Sequence, residues 1–481
     1  MRGNVSDSPA RTRELLAGIV VLALLVRAGV GWLDRGHGEM EHLADLYRAE
    51  AYALAAGYGM LHPAPSGPAE VDLLRLADSL AAQGKRITPE TAPRITPARW
   101  RPASMHPPGY AVFLLGIYRL FGEPLFAWAR VVQAVLDAAS CLLVYLIGVR
   151  FAGRAVGLVA AAGQALAAPA AYLATSRVAD ALCPALYILT FWLSVKAVDT
   201  RRTAWFVAAG AACGVACLFR PDYLPFAAGL ALAALLVQRR LLPVVGRMLA
   251  FGAAMVLVML PWGLWNRSKV GSFTLSSTVG GATLYESIGQ FPNPYGIVFD
   301  DLAMLRTARE AGYEGIDDPG ADRWFKRRYL AIVRENPGLI AGQMLRRVPL
   351  AIAPLYRWGY VNPAYRGRTF FDYVAREHVG PLEAARRHPA EVLGAYWDRM
   401  ISGVIALGLF AACVALAVAE RRRWATVVLL LLPYWAIVLS HLPFTMGSRL
   451  LAPALFCQIV AAAYWVVRLR GRGPVELWAP R

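Results

Sequence analysis

About ten apolar runs, each roughly 17–25 residues long, recur along this chain and leave it few ways to fold. At 1.5 Å per residue, a helical run of that length crosses a hydrocarbon core of roughly 30 Å. The runs lie near residues 15–33, 126–149, 155–175, 180–197, 203–219, 223–238, 248–265, 400–419, 424–440 and 450–467. Of the 481 residues only 17% are charged, against about 25% in an ordinary soluble domain. That is too little charge to cover the two or three soluble domains the length would otherwise form. The abundance of apolar surface excludes disorder. The expected fold is all-α and integral to a membrane.

The net charge of +18 would suggest nucleic acid in a soluble protein, but here it has a topological explanation. With the N-terminus placed inside, the inner segments collect Arg11 and Arg13, Arg150 and Arg154, and Lys196, Arg201 and Arg202. They also collect Arg239, Arg240 and Arg247, then Arg421, Arg422 and Arg423, and finally Arg468, Arg470 and Arg472. Roughly 18 basic and 5 acidic residues fall on that side, about +13 of the total. Both termini are expected in the cytoplasm, in a multi-pass protein of the cell (inner) membrane. Residues 15–33 lack a small-residue cleavage site and read as an uncleaved signal anchor. The six cysteines all fall in expected spans without CxxC spacing, so they read as small core residues.

The sequence divides into 1–33 (tail and first span), 34–125 (first outer loop), 126–265 (transmembrane core), 266–398 (large outer loop), 399–470 (C-terminal spans) and 471–481 (tail). Residues 109–122 are apolar but short for a span, and reading them as one would invert every later loop. An interfacial helix is expected there, with a second near 337–356 that is broken by Pro349 and Pro354.

All seven histidines fall on the outer side, and Asp34, Glu39, Glu41, Asp45 and Glu50 crowd after the first span. Two short outer loops add Arg177 with Asp180, and Arg220-Pro221-Asp222. Charge in such loops invites a functional reading. The plainer one is mutual pairing, Arg177 with Asp180 and Arg220 with Asp222, worth under about 1 kcal/mol in solvent. Arg27 and Asp137 lie deeper, and a packing or helix-pairing role fits them better than catalysis.

The order of motifs carries a resemblance. An acidic loop reads Asp45-Leu46-Tyr47, followed by Ala51, Leu54, Gly57 and Gly59. Then come His106-Pro107-Pro108-Gly109-Tyr110, Ala129-Arg130 with Gln133, and Arg150-Phe151-Ala152-Gly153-Arg154. Arg220-Pro221, Pro261-Trp262 with Asn266, Gly280-Gly281 before Asn293-Pro294, and Arg449-Leu450-Leu451-Ala452-Pro453 complete the series. Together these resemble the GT-C membrane glycosyltransferases, and most closely the protein mannosyltransferase and lipid A aminoarabinose transferase type, glycosyltransferase family 39 with its bacterial relatives. The resemblance runs through the transmembrane frame but not through residues 60–100 or 300–395.

It implies a GT-C-type polytopic helical bundle of about ten or more spans, with interfacial helices and outer-face loops. It further implies transfer of a sugar from a polyprenyl-phosphate donor to a lipid, glycan or protein acceptor on the outer face, with inversion. Asp45 would be the general base, although the family's acid commonly stands four residues before the Tyr and Asp45 stands two before Tyr47. Glu41 and Glu39 are therefore alternatives, and Asp45 can also be read as the N-cap of a helix over 46–56. Asp180 would orient the acceptor or tune the base. His106, Arg220 and Arg449 would bind the donor phosphate; in plainer terms His106 caps an interfacial turn and Arg449 snorkels to headgroups. No cofactor is called for. The outer His and acids could hold a divalent metal, but no HExxH or comparable pair supports one. Other readings are a lipid-linked glycan polymerase or ligase, with its weight on 266–398; an inactive relative acting as a scaffold; and, less well matched, a transporter or lipid flippase.

Overall fold

The computed structural model describes residues 9–33, 41–63, 69–92, 100–354, 383, 386–387, 389–471 and 476–478. Helix α1 (Pro9–Leu33) leads to α2 (Glu41–Ala55) and α3 (Ala69–Ala82), and α4 spans Gly109–Phe121. Between them β1 (Leu61–Pro63) pairs antiparallel with β2 (Trp100–Pro102), His62 opposite Arg101. The core then runs through α5 (Leu125–Ala152), α6 (Arg154–Ala165), α7 (Ala168–Ala174), α8 (Cys183–Thr200), α9 (Thr203–Phe219), α10 (Phe226–Gln238) and α11 (Leu241–Val270). Four shorter helices follow: α12 (Gly280–Glu286), α13 (Asp301–Glu310), α14 (Pro319–Glu335) and α15 (Pro337–Ile352). The series closes with α16 (Pro389–Ala419), α17 (Trp424–His441), α18 (Ser448–Leu451) and α19 (Leu455–Leu469).

Eight helices among the described residues are long and apolar enough to cross a membrane, and nine if α6 and α7, bent by 55° at their junction, count as one span. This is a multi-pass membrane protein. The expected span at 203–219 is a helix of 17 residues, at the short end of the range that crosses a bilayer. Thus all ten expected runs are helical, while the count of spans is lower than the sequence suggested. Helix α4, with 13 residues, is too short to cross. It buries Tyr110, Leu114 and Ile117 and exposes Val112 and Leu120. Helix α15 is not broken at Pro349 but runs through it to Ile352. Only one helical N–H is lost to a proline so near the end, a cost the packed face can bear.

Burial sorts the spans. Of the apolar window of Ser448–Leu469, 78% is buried, against 11% for Leu241–Val270 and 17% for Pro9–Trp32. The last described span is therefore at the centre, with α1 and α11 at the rim. Small residues allow the tight contacts that pack helices in lipid. A Cβ on Gly210 would run into the carbonyl of Phe251 and one on Gly214 would come within 2.8 Å of the carbonyl of Met255, so this Gly-x-x-x-Gly pair lets α9 lie directly on α11.

The break between α6 and α7 is held by a buried ion pair. The Arg27 guanidinium donates from Nε to Asp137 Oδ2 (2.8 Å) and from Nη1 and Nη2 to the carbonyls of Ala165 (2.5 Å) and Gln164 (3.2 Å). One side chain thus neutralises an acid on α5 and caps the open end of α6, which hydrocarbon could not do. The helix-pairing role expected of these two residues is what the structure shows. Arg27→Met should leave Asp137 buried without its counter-charge and cost roughly 3–5 kcal/mol. Arg27→Met with Asp137→Leu should recover part of this, as read by thermal unfolding in detergent.

Candidate functional site

The site is built where α4 meets the end of α9. Proline at 107 and 108 holds back the start of a helix until Gly109. A Cβ on Gly109 would lie 2.5 Å from the carbonyl of Leu218 and 2.8 Å from the ring of Phe219, so only glycine lets α4 abut α9 here. The next residue is Arg220, extended (φ −146°, ψ 123°) as expected before a proline. It ends α9 and turns its side chain into the junction.

There Arg220 is gripped from both sides. Nη1 donates to Asp180 Oδ1 (2.5 Å), while Nε (2.7 Å) and Nη2 (2.5 Å) reach Asp222 Oδ2. Asp180 lies in a 3-10 turn, Ala179–Leu182, that leads into α8. His441, at the end of α17, approaches Asp222 with Nε2 at 3.4 Å, and its Nδ1 is 3.0 Å from the carbonyl of Ile437. The chain Asp180–Arg220–Asp222–His441 therefore ties α8, α9 and α17 together. Its charge is −1 with a neutral histidine and zero with a protonated one. The Asp180 carboxylate, expected to pair with Arg177, binds Arg220, and the Arg177 guanidinium lies 5.8 Å from the ring of Phe126. Arg220 with Asp222 pairs as anticipated.

Helix α2 contributes Tyr47, buried against the ring of His106 (5.5 Å) and edge-on to Tyr110 (5.1 Å). Burial pushes the Tyr47 phenol well above its usual 10.0; the charges of Glu50 and Asp180 push it further and Arg220 pulls it back. Tyr47 therefore sits within electrostatic reach of all three. Tyr110 donates to Gln133 Oε1 (3.0 Å), and Gln133 Nε2 in turn donates to the carbonyls of Ala174 (3.1 Å) and Ser176 (2.9 Å). Burial also raises the Tyr110 phenol, with Arg130 and Arg177 opposing and Asp180 adding.

The structure thus brings together His106, Asp180 and Arg220, three of the six residues singled out. Asp45 is elsewhere. Helix α2 begins at Glu41, so Asp45 lies inside it and is not its N-cap. At about 100° per residue, Asp45 is turned roughly 200° from Tyr47. It shares the face of Arg48, which donates to Asp78 (2.7 Å) and to the hydroxyl of Tyr52 (2.7 Å). Glu41 opens the helix, but its side chain lies outside the described residues, as do Glu39, Asp34, His37, His378 and His388. Arg449 is exposed on α18. Glu50 is the acid the sequence reading passed over: it is buried, three residues from Tyr47 and on the same side of α2. The spacing Tyr47–Glu50 could have pointed to it. Among the described residues no group of three or more His, Cys, Asp or Glu is arranged to hold a metal ion.

Beside this junction stands a small unit formed by α12–α15, around Ile288, Met304, Phe325 and Ile332. Three of its four helices have side-chain caps, among them Asp300, which accepts from the Ala303 N–H (2.7 Å), and Asn336, which accepts from the Leu339 N–H (3.1 Å). It is fastened to the first loop by Arg101–Asp317 (2.9 Å) and by Ser104–Thr278 (2.9 Å). Within it, burial lifts the Glu286 carboxyl from 4.5 to about 7, with Asp301 and Asp300 adding to the effect. The folded unit thus holds a proton that the unfolded chain has released, so stability falls as pH rises from about 4.5 to about 7. Glu286→Gln should stabilise the protein by roughly 1–3 kcal/mol at pH 8 and hardly at all at pH 4.5. Thermal unfolding at the two pH values checks this, and equal shifts would contradict it.

Residues 105–265 match the family model described as dolichyl-phosphate-mannose-protein mannosyltransferase. The matched stretch contains His106, Asp180 and Arg220 but neither α2 nor Arg449. No curated protein matches the chain in sequence. Among solved structures, it is similar to the archaeal oligosaccharyltransferase AglB from Archaeoglobus fulgidus, in complex with an inhibitory peptide and a dolichol-phosphate. That likeness has a TM-score of 0.48 and 13% identity, over 96% of this chain and 52% of AglB, so the chain spans about half the length of that protein. It is also similar to ArnT from Cupriavidus metallidurans bound to undecaprenyl phosphate, with a TM-score of 0.37 and 15% identity, over 93% of this chain and 78% of ArnT.

Proposed function

We propose that this chain, whose residues 105–265 match the mannosyltransferase family model, is a GT-C-type membrane glycosyltransferase that moves a sugar from a polyprenyl-phosphate donor to an acceptor hydroxyl with inversion. The observation that carries the reading is the junction of Tyr47, His106, Asp180 and Arg220, where polar groups converge at one end of an apolar frame. A lipid-linked donor needs a site open both to hydrocarbon and to water, and a site at the end of the spans beside α4 would lie where the two meet. The gathering of Arg150, Arg201, Arg239 and Arg421 at the opposite ends of the spans supports an extracytoplasmic site.

In this reading a carboxylate of α2 takes the acceptor proton as the oxygen attacks the anomeric carbon, and the polyprenyl phosphate departs with the electrons of the broken bond. Asp45 and Glu41 are the candidates from the sequence, and Glu50 joins them because it faces the junction. Asp180 orients the acceptor. His106, Arg220 and Arg449 oppose the phosphate charge. Since two aspartates already neutralise Arg220, His106 carries more of that task when protonated. The acceptor class is set by residues 60–100 and 300–395.

The test is sugar release from a panel of radiolabelled polyprenyl-phosphate monosaccharides by purified protein. One donor should turn over, and one of Asp45→Asn, Glu41→Gln or Glu50→Gln should lower the rate by about 10²–10⁴-fold, as loss of a general base does. Asp180→Asn should slow transfer while donor binding persists. Elongation of a lipid-linked glycan in place of single transfer would favour the polymerase reading. No turnover of any donor by folded protein would overturn the proposal.

A further inference from the structure

Arg347 of α15 is 1% exposed, and every hydrogen-bond partner it has among the described residues is neutral. Nε donates to Gln290 Oε1 (2.9 Å), Nη1 to the carbonyl of Leu442 (3.0 Å) and Nη2 to the carbonyl of Ser287 (2.7 Å). Gln343 Oε1 lies 3.5 Å from Nη2. Among the described residues no carboxylate pairs with it. Burial lowers the guanidinium to about 10, opposed by Tyr329. A buried cation without a counter-ion costs several kcal/mol, so its retention needs a reason beyond packing.

That reason is the segment it holds. Gln290, itself gripped by Arg347, donates from Nε2 to the Met446 carbonyl (2.8 Å) and accepts from the Met446 N–H at Oε1 (3.3 Å). The loop 442–447 is thus tied at both ends to the α12–α15 unit. It begins directly after His441, which faces Asp222, and leads within a few residues to Arg449. A long guanidinium can reach two carbonyls and an amide at once, which no neutral side chain matches.

We propose that Arg347 and Gln290 are positioning residues for the transfer reaction: by fixing loop 442–447 they set His441 against Asp222 and so hold the Asp222–Arg220–Asp180 chain in register. The role in catalysis rests on the transferase reading, whereas the clamp itself does not, and the experiment separates the two. A cysteine placed at Phe444 reports the loop through its labelling by a water-soluble maleimide, the six native cysteines being buried. Gln290→Ala and Arg347→Lys should each speed that labelling roughly tenfold if they free a local opening. Arg347→Met should do so more strongly. In turnover the same variants should lower kcat with little change in donor KM. Combined with His441→Gln they should slow the enzyme no further than the worse single variant, since residues acting through one contact are not additive. Unchanged labelling in Gln290→Ala and Arg347→Lys would overturn the clamp. Multiplying kinetic effects would overturn its action through His441. Faster labelling in a protein that turns over no donor would keep the clamp and discard the transferase reading.

Discussion

One guanidinium, that of Arg220, sits between two carboxylates at the point where three spans end. Because Asp180 precedes α8, Asp222 precedes α10 and His441 closes α17, the position of every one of these helices is felt at Arg220. Such an arrangement is worth little to stability if exposed and much if one partner is removed, since a half-buried acid is then left alone. It also fixes the electrostatics of the junction. With its charge already matched by two carboxylates, Arg220 ties the junction together more than it stands as a free cation.

A second constraint is geometric. The His-Pro-Pro-Gly run places a titratable ring, two helix-delaying residues and a residue without a side chain in fixed succession. Gly109 must pass against Leu218 for α4 to reach Arg220 at all. Local chemistry therefore decides a tertiary contact between stretches more than one hundred residues apart. Tyr47 then seals the arrangement from the first loop, its ring filling the space beside His106.

The frame was legible in the sequence because hydrocarbon imposes length and composition on each helix separately. The apolar runs, the short helix at 109–121 and a structural role for Arg27 and Asp137 all follow from the cost of polar groups in lipid, while their pairing with each other came from the structure. What the runs could not show is the 55° bend that divides residues 154–174 into two helices. The site was half legible. His106, Asp180 and Arg220 are marked by motifs that act locally, yet the partner of Asp180 depended on how α9 ends against α8. Asp45, read first as a general base and otherwise as a cap, lies inside a helix that begins at Glu41, so the capping alternative falls. Glu50 is marked only by its spacing from Tyr47, and Arg347 carries no local mark, since its burial comes from elements far away in sequence.

The most deeply enclosed span is the last of those described, and it packs against α6, made some three hundred residues earlier. A ribosome releases these helices in chain order. Until α19 arrives, the earlier spans must wait around an unfilled centre, with Cys183, Phe191 and their neighbours still facing lipid or a membrane insertase. Assembly of the junction is thus delayed to the end of synthesis, and a chain cut short before α17 would carry most of the motifs but have no His441 to face Asp222.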